Sequence, residues 1–287
     1  MTARAIVLAG LLAFAPLDQA LSWGASGHSI IAEIAQRHLH SHALAQIKTL
    51  LGGNASLASI ASWADDIALV RPETIRWHFV NIPYAATGYD QNRDCKPTAR
   101  GDCVINAIAR SRAVLTNCSA TRQERAEALK YLVHFVGDVH QPLHTIDRDD
   151  EGGNKVAVTF FDTPMSLHGV WDFGLIEKRT YDWGQYVTDL ENNWLRGKDI
   201  HALEDGNPVD WALHAHAAAV NAAYILPEDL RLGKDYYQRA TPVVDEQLAL
   251  AGIRLARVLD EALGHCRERS CVNACPRYIR GEMPPAM

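Results

Sequence analysis

Two His-x-x-x-Asp pairs carry the first chemical signal. His134 and Asp138 sit in Tyr131-Leu-Val-His-Phe-Val-Gly-Asp138, and His168 and Asp172 in Leu167-His-Gly-Val-Trp-Asp172. Residues four apart on a helix share a face, so each pair can hold one metal ion or share one proton. Imidazole nitrogen and carboxylate oxygen are zinc's usual non-sulfur ligands. Pairs projecting inward from neighbouring helices are how helical bundles build metal sites. His144 follows in His140-Gln-Pro-Leu-His144, and Asp65 (Ser62-Trp-Ala-Asp65) and His78 (Arg76-Trp-His-Phe) add one ligand type each. Any one of these taken singly reads as a core histidine or a surface ion pair, so the grouping of the thirteen histidines matters more than their number. His38, His40, His42 and His265 read as solvated helix-end residues.

A further ligand set is expected at the start of the exported chain. Arg4, the apolar run from Ala5 to Leu17 and the small residues of Ala20-Leu21-Ser22 form a signal peptide over residues 1–22, with cleavage after Ser22. Mature residue one is then Trp23, in Trp23-Gly-Ala-Ser-Gly-His28. A free α-amine, with a reference pKa near 8, yields its proton to zinc far more readily than a lysine does. Amine and carbonyl of Trp23 can chelate one ion, with His28 completing the set.

These residues need a scaffold, and the apolar periodicity supplies a helical one. Helices are expected at about Gly27–Leu39, His42–Leu51, Leu57–Ile67, Cys103–Leu115, Arg122–Val139, Leu167–Ile176, Tyr181–Leu195, Pro208–Ala223 and Val243–Ala262. The first His–Asp helix is expected to run on to His140 and to close at Pro142. Lys155-Val-Ala-Val-Thr-Phe-Phe161 alternates and is β-branched, which predicts a short hairpin. With no repeat or linker, the expectation is an all-α fold: one mainly helical domain over 23–287, ending in an irregular Cys-rich tail at 265–287. Hydrophobic residues are 48% of the chain and charged residues 22%, which excludes wholesale disorder. The net charge of -6 argues against gripping a polyanion through Lys and Arg alone, whereas bound divalent cations would supply the positive field. Six cysteines fit an oxidising compartment. Cys95 and Cys103 form the easiest local bridge, and Cys118 must then pair among Cys266, Cys271 and Cys275.

The ordered set Trp23, His28, Trp-Ala-Asp65, Trp-His78-Phe, His134-Phe-x-Gly-Asp138-x-His-Gln-Pro-Leu-His144, Gly-Gly-Asn154 and His168-x-x-Trp-Asp172 resembles the S1/P1 nuclease family, with matches running from Trp23 to Asp172. The resemblance implies a phospholipase C/nuclease-like fold. It also implies three Zn²⁺ per chain: one on Asp65, His78, His134 and Asp138, a second on His144, His168 and Asp172, a third on Trp23, His28 and the bridging Asp138. His140 is left as support for the ligands. Phe79 matches a base-stacking position, Asn81 follows where many members carry Asp, and Asn154 borders the substrate cleft. The arginine common three residues after the Trp-x-Asp aspartate is Ala68 here, with Arg71 and Arg76 nearby as replacement cations.

The activity so implied is that of a secreted or periplasmic, monomeric endonuclease. It would hydrolyse single-stranded DNA and RNA to 5'-phosphorylated products through in-line attack by a zinc-bridging hydroxide, with Asp65 and Asp138 central and 3'-nucleotidase activity alongside. A zinc-dependent phospholipase C shares the ligand logic and a non-catalytic zinc-binding protein is the other alternative. The short Trp23-to-His28 spacing, Asp172 rather than Glu, and Gly-Gly-Asn154 favour the nuclease.

Overall fold

The computed structural model describes residues 23–53 and 55–264. The expected signal peptide and the Cys-rich tail lie outside the described residues. The backbone is the expected mainly helical one, with three short strands among the described residues.

Two long helices form the axis of the core. Ala25–His38 packs along Lys234–Gly264, and Gly252 permits the contact: a Cβ there would lie 2.5 Å from Ile34 Cγ2. The buried face of the longer helix is rich in small residues (Ala249, Ala251, Ala256) beside Leu248, Leu255 and Leu259, so the backbones approach closely while the leucines supply apolar area. This helix begins at Lys234 and contains Pro242 in its interior, where the sequence suggested a start at Val243. Proline forfeits one backbone hydrogen bond, and apolar anchoring on both sides of it, at Tyr236, Ala240 and Val244, keeps the helix continuous.

A second pair, Val104–Thr116 and Arg122–Asp138, packs against that axis. The latter starts at a capping box in which Thr121 Oγ1 accepts from Glu124 N–H (3.2 Å) and Glu124 accepts from Thr121 N–H (2.8 Å). It ends at Asp138 rather than running on to His140, and Pro142–His144 forms a separate 3₁₀ turn. The single helix expected over Leu57–Ile67 is likewise two pieces, a 3₁₀ turn at Ala58–Ile60 and a helix at Trp63–Ala68. A 3₁₀ segment at Pro72–His78 carries His78 at its end. After Ser166 the backbone passes through a π-helical turn, Val170–Gly174, into Leu175–Arg179.

The hairpin is present as β1 (Ala157–Phe160) and β2 (Thr163–Ser166), antiparallel, with Val158 opposite Met165. Phe161 and Asp162 both have positive φ (45° and 69°), the twist that tight hairpins select. A two-residue strand β3 (Arg231–Leu232) joins β1 in parallel. Cys95 and Cys103 form the expected disulfide, and Cys118 is also disulfide-bonded. No helix among the described residues is long and apolar enough to cross a membrane.

Candidate metal centre

The Arg122–Asp138 helix points His134 and Asp138 inward, both fully buried. Asp138 uses its two oxygens in two directions. Oδ2 lies 3.1 Å from His78 Nδ1 and 3.2 Å from His134 Nε2, while Oδ1 lies 3.4 Å from His28 Nε2. A carboxylate facing two ligand groups in this way can bridge two ions. Asp65 Oδ1 completes the ring, 3.3 Å from His134 Nε2 and 3.5 Å from His78 Nδ1. His28 stacks on His134 with ring centres 3.9 Å apart, an approach that requires Gly137. A Cβ at Gly137 would come within 2.9 Å of His28 Nδ1.

The second His–Asp pair forms a separate group. His144 Nε2 and His168 Nε2 face each other at 3.2 Å, and Asp172 Oδ2 is 3.2 Å from His168 Nε2. Three groups of side chains thus offer converging donor atoms: His28, Asp65, His134; His78, His134, Asp138; and His144, His168, Asp172.

The far side of each ring decides which nitrogen faces inward. Nδ1–H of His134 donates to Ala61 O (2.7 Å), that of His144 to His78 O (2.9 Å) and that of His168 to Gly152 O (2.7 Å). Backbone carbonyls only accept, so in each neutral ring Nε2 presents a lone pair to the centre. Two lone pairs facing at 3.2 Å repel unless a cation lies between them. A proton can be shared by two of the three inward atoms of this group, whereas a metal ion takes all three. His78 turns Nδ1 to the centre, and among the described residues no hydrogen bond reaches Asp138 Oδ1 or Asp172 Oδ2, both buried. The donor set therefore fits divalent metal, and its imidazole-plus-carboxylate chemistry suits zinc.

The electrostatics agree. Burial pushes the Asp138 carboxyl up, but His134, His28 and His78 outweigh it and hold it well below the usual carboxylate range. Burial acts likewise on Asp65, and His134 and His78 bring it down to about 2. Burial lowers His134, and Asp138 and Asp65 together raise it well above an ordinary histidine. His144 is brought down to about 4, first by burial. Of the nine expected ligand residues, Asp65 is the one whose side chain reaches solvent appreciably (27% exposed, against 7% for His168), so solvent meets the group at Asp65.

Trp23 is buried, with its indole N–H donating to Gly137 O (3.1 Å), and Gly24 N–H donates to Asp172 O (2.8 Å). His140 stands apart from the donor groups. Its Nδ1–H donates to Val136 O (2.7 Å), and its Nε2 accepts from Arg254 Nη1 (2.9 Å). Phe79 has extended backbone directly after His78, with the Arg76 guanidinium 5.6 Å from its ring centre. Arg71 is engaged by Glu127 (2.6 Å), which leaves Arg76 as the cation beside the aromatic. Asn81 is half-exposed on the same segment. Asn154 Nδ2 donates to Glu151 O (3.1 Å), so part of its amide closes the turn.

Gln141 was missed by sequence reasoning. Fully buried, it donates from Nε2 to Asp172 Oδ1 (2.5 Å) and accepts from Leu143 N–H at Oε1 (2.5 Å). Its place between His140 and Pro142 in an otherwise ligand-bearing motif was the available signal. Gly137 was also readable, since glycine inside a helix costs about 1 kcal/mol and implies a close approach.

A family model described as S1/P1 nuclease matches residues 23–264. Endonuclease 2 of Arabidopsis thaliana is 32% identical over 272 residues, covering 84% of this chain and 91% of that protein. Nuclease P1 of Penicillium citrinum is 31% identical over 84% of this chain and 98% of its own length. Nuclease S1 of Aspergillus oryzae is 31% identical over 88% and 96%.

Proposed function

The chain belongs to the S1/P1 nuclease family, and on that premise we propose that it is a zinc-dependent endonuclease of single-stranded DNA and RNA. It carries three zinc ions and, after export, acts in the periplasm or medium. Products are 5'-phosphorylated, and a 3'-nucleotide loses its phosphate by the same chemistry. The observation that carries this reading is the set of buried histidines whose outer nitrogens are spent on carbonyls while their inner nitrogens converge with carboxylates.

One ion is assigned to Asp65, His78, His134 and Asp138, and a second to His144, His168 and Asp172. The third takes His28, Asp138 and the amine and carbonyl of Trp23. Support for Trp23 is its buried position against Gly137 O and the bond from Gly24 N–H to Asp172 O. Bound zinc supplies Lewis acidity and acidifies a water ligand at neutral pH. The chain's own residues do the rest. Asp65, ionised and open to the cleft, accepts a hydrogen bond that orients the incoming water. Asp138 keeps two ligand groups in fixed relation. Phe79 stacks a base without reading its identity, and the Asn81 amide can both donate to and accept from the base edge. Asn154 borders the cleft. A base must leave the duplex stack to reach Phe79, at a cost of about a few kcal/mol, which disfavours duplex substrates.

The relatives are named nucleases and endonucleases, which favours this reading over phospholipase C. The test uses exported protein with metal counted and the N-terminus sequenced, assayed on single-stranded DNA, RNA, duplex DNA and phosphatidylcholine. About three zincs, a free Trp23 and single-strand cleavage are expected. Lipid hydrolysis without nucleic-acid cleavage would overturn it, as would zinc-replete protein with no phosphodiesterase activity.

A further inference from the structure

A second constellation lies beside the metal centre. The Arg148 guanidinium carbon is 4.6 Å from the Tyr84 ring centre and 4.7 Å from that of Tyr224. The two rings meet edge to face at 5.7 Å. Each ring is fixed in turn. Tyr224 O–H donates to both oxygens of Asp150 (3.0 and 2.9 Å), and Tyr84 N–H donates to Asp147 O (2.9 Å). Arg148 is exposed and makes no hydrogen bond or ion pair of its own with the described residues. Of the nearby acids, Asp150 is engaged by Tyr224 and Gly153 N–H and Glu151 by Lys155 at 2.9 Å, while the flanking Asp147 and Asp149 form no ion pair with Arg148 among the described residues. Aromatic contact holds the guanidinium plane and leaves its N–H edge free, the arrangement that recognises a phosphate oxygen pair.

Its position relative to the cleft follows from the backbone. The segment after His78 runs beside the segment after His144, tied by Val80 N–H to His144 O (2.8 Å), Asp147 N–H to Ile82 O (3.0 Å) and the Pro83–Asp147 bridge. Ligands His78 and His144 and the stacking residue Phe79 stand at one end of this pair, Tyr84 and Arg148 at the other. Arg148 is four residues beyond His144, so their Cα atoms are at most about 14 Å apart. A strand of a few nucleotides covers that distance.

We propose that Arg148, clamped between Tyr84 and Tyr224, is a subsite for a phosphodiester flanking the scissile one, gripping single-stranded polynucleotide but not a mononucleotide. The inference rests on the nuclease reading and adds to it a cation in a chain whose net charge is -6. It also separates two substrate classes at one centre, because a 3'-nucleotide has no second phosphate to present.

The test compares wild type, Arg148→Ala and Arg148→Lys on a single-stranded oligonucleotide of about ten residues and on a 3'-mononucleotide, across a salt series. For Arg148→Ala the oligonucleotide KM should rise about tenfold, the loss of one charge-assisted contact. Its salt slope should fall by about 0.7, the share of one phosphate in a single strand. The mononucleotide kcat/KM, zinc content and Tm should not move. Arg148→Lys keeps the charge without the planar stack, and should recover part of the oligonucleotide KM. An unchanged oligonucleotide KM in Arg148→Ala would overturn the subsite, as would an equal loss on both substrates. If wild type cleaves neither substrate, the nuclease reading itself fails, an outcome distinct from either of these.

Discussion

Gln141 gives the sharpest test of how the second ligand group is held. Its side chain bonds Asp172 Oδ1 and Leu143 N–H, both at 2.5 Å, in a fully buried position. A hydrogen bond to a charged partner is worth about 1.5–3 kcal/mol. Loss of a partner that orients a ligand costs about 10–100-fold in metal affinity, or about 1.4–2.7 kcal/mol at 1.36 per decade. The two scales agree, so Gln141→Leu should weaken zinc at His144, His168 and Asp172 by about one to two decades. It should also destabilise the fold, because Leu143 N–H loses its acceptor. Gln141→Glu tests the donor alone. Its ionised carboxylate still accepts from Leu143 N–H but cannot donate to Asp172, and two buried carboxylates would face each other. That repulsion is costly in a buried site, so the variant should be no more stable than the leucine variant and hold zinc no better. The assay is chelator competition counting zinc released per chain, beside hydrolysis of single-stranded DNA. Wild-type zinc affinity in Gln141→Glu, with a loss in Gln141→Leu, would show that packing rather than the donated hydrogen bond matters, and the argument would fail.

Zinc uptake should release protons at neutral pH, since metal-free His134 and His168 are both raised by their carboxylate neighbours against the pull of burial. Calorimetry in buffers of differing ionisation enthalpy measures this, and no buffer dependence would contradict it. The same shifts set opposite pH trends. In metal-free protein the raised His134 contributes stability that is full below its unfolded value of 6.5 and lost as pH climbs through its folded one. Depressed Asp138 contributes above 3.8, lost on acidification. Melting should therefore show the metal-free Tm falling on the alkaline side, with the zinc-loaded Tm above it throughout. Occupancy at a thousandfold over Kd adds about 4 kcal/mol per site. His140→Phe should lower stability by about 1 kcal/mol, since half-buried Arg254 loses one hydrogen-bond acceptor, yet leave zinc per chain unchanged; loss of a zinc would make His140 a ligand after all. A residue added ahead of Trp23 should remove one zinc and most activity, and full activity in such a protein would take Trp23 out of the site.

What could be read ahead followed from how local each signal is. The His134–Asp138 and His168–Asp172 spacings encode a shared helical face in four residues, so the pairs were legible without a fold. Asp65, His78 and His28 lie far from them in sequence: residue type and the expected mature N-terminus made them candidates, and their order within a family pattern grouped them with the pairs. The disulfide between Cys95 and Cys103 was local enough to expect. Strand β3 was not: Arg231 and Leu232 have no alternation to detect, and what makes them a strand is Thr159 and Phe160 alongside. The start of the last helix was misjudged because Pro242 reads as a boundary, while the burial that overrides it depends on tertiary neighbours. Gln141 escaped because glutamine is no zinc ligand; its role exists only through Asp172.

The departures from regular helix have a common physical origin in the site. A histidine that must present Nε2 needs an acceptor for its Nδ1–H, and carbonyls inside a regular helix are already used by the i→i−4 ladder. Free carbonyls occur at the ends of elements and in turns. His134 uses Ala61, the residue closing the Ala58–Ile60 turn, and His144 uses His78, the last residue of Pro72–His78. His168 uses Gly152, whose positive φ (60°) keeps its carbonyl in a tight turn, and where a Cβ would come within 2.4 Å of Leu143 O. Asp172 sits in the π-helical turn, and its own carbonyl accepts from Gly24 N–H, which ties the start of the described chain to the second ligand group. A plain bundle of long helices could place the same histidines and aspartates, but it would leave their ring orientations unset. The breaks at 58–63, 72–78 and 150–154 thus supply the acceptors that turn a histidine cluster into a directed set of donor atoms.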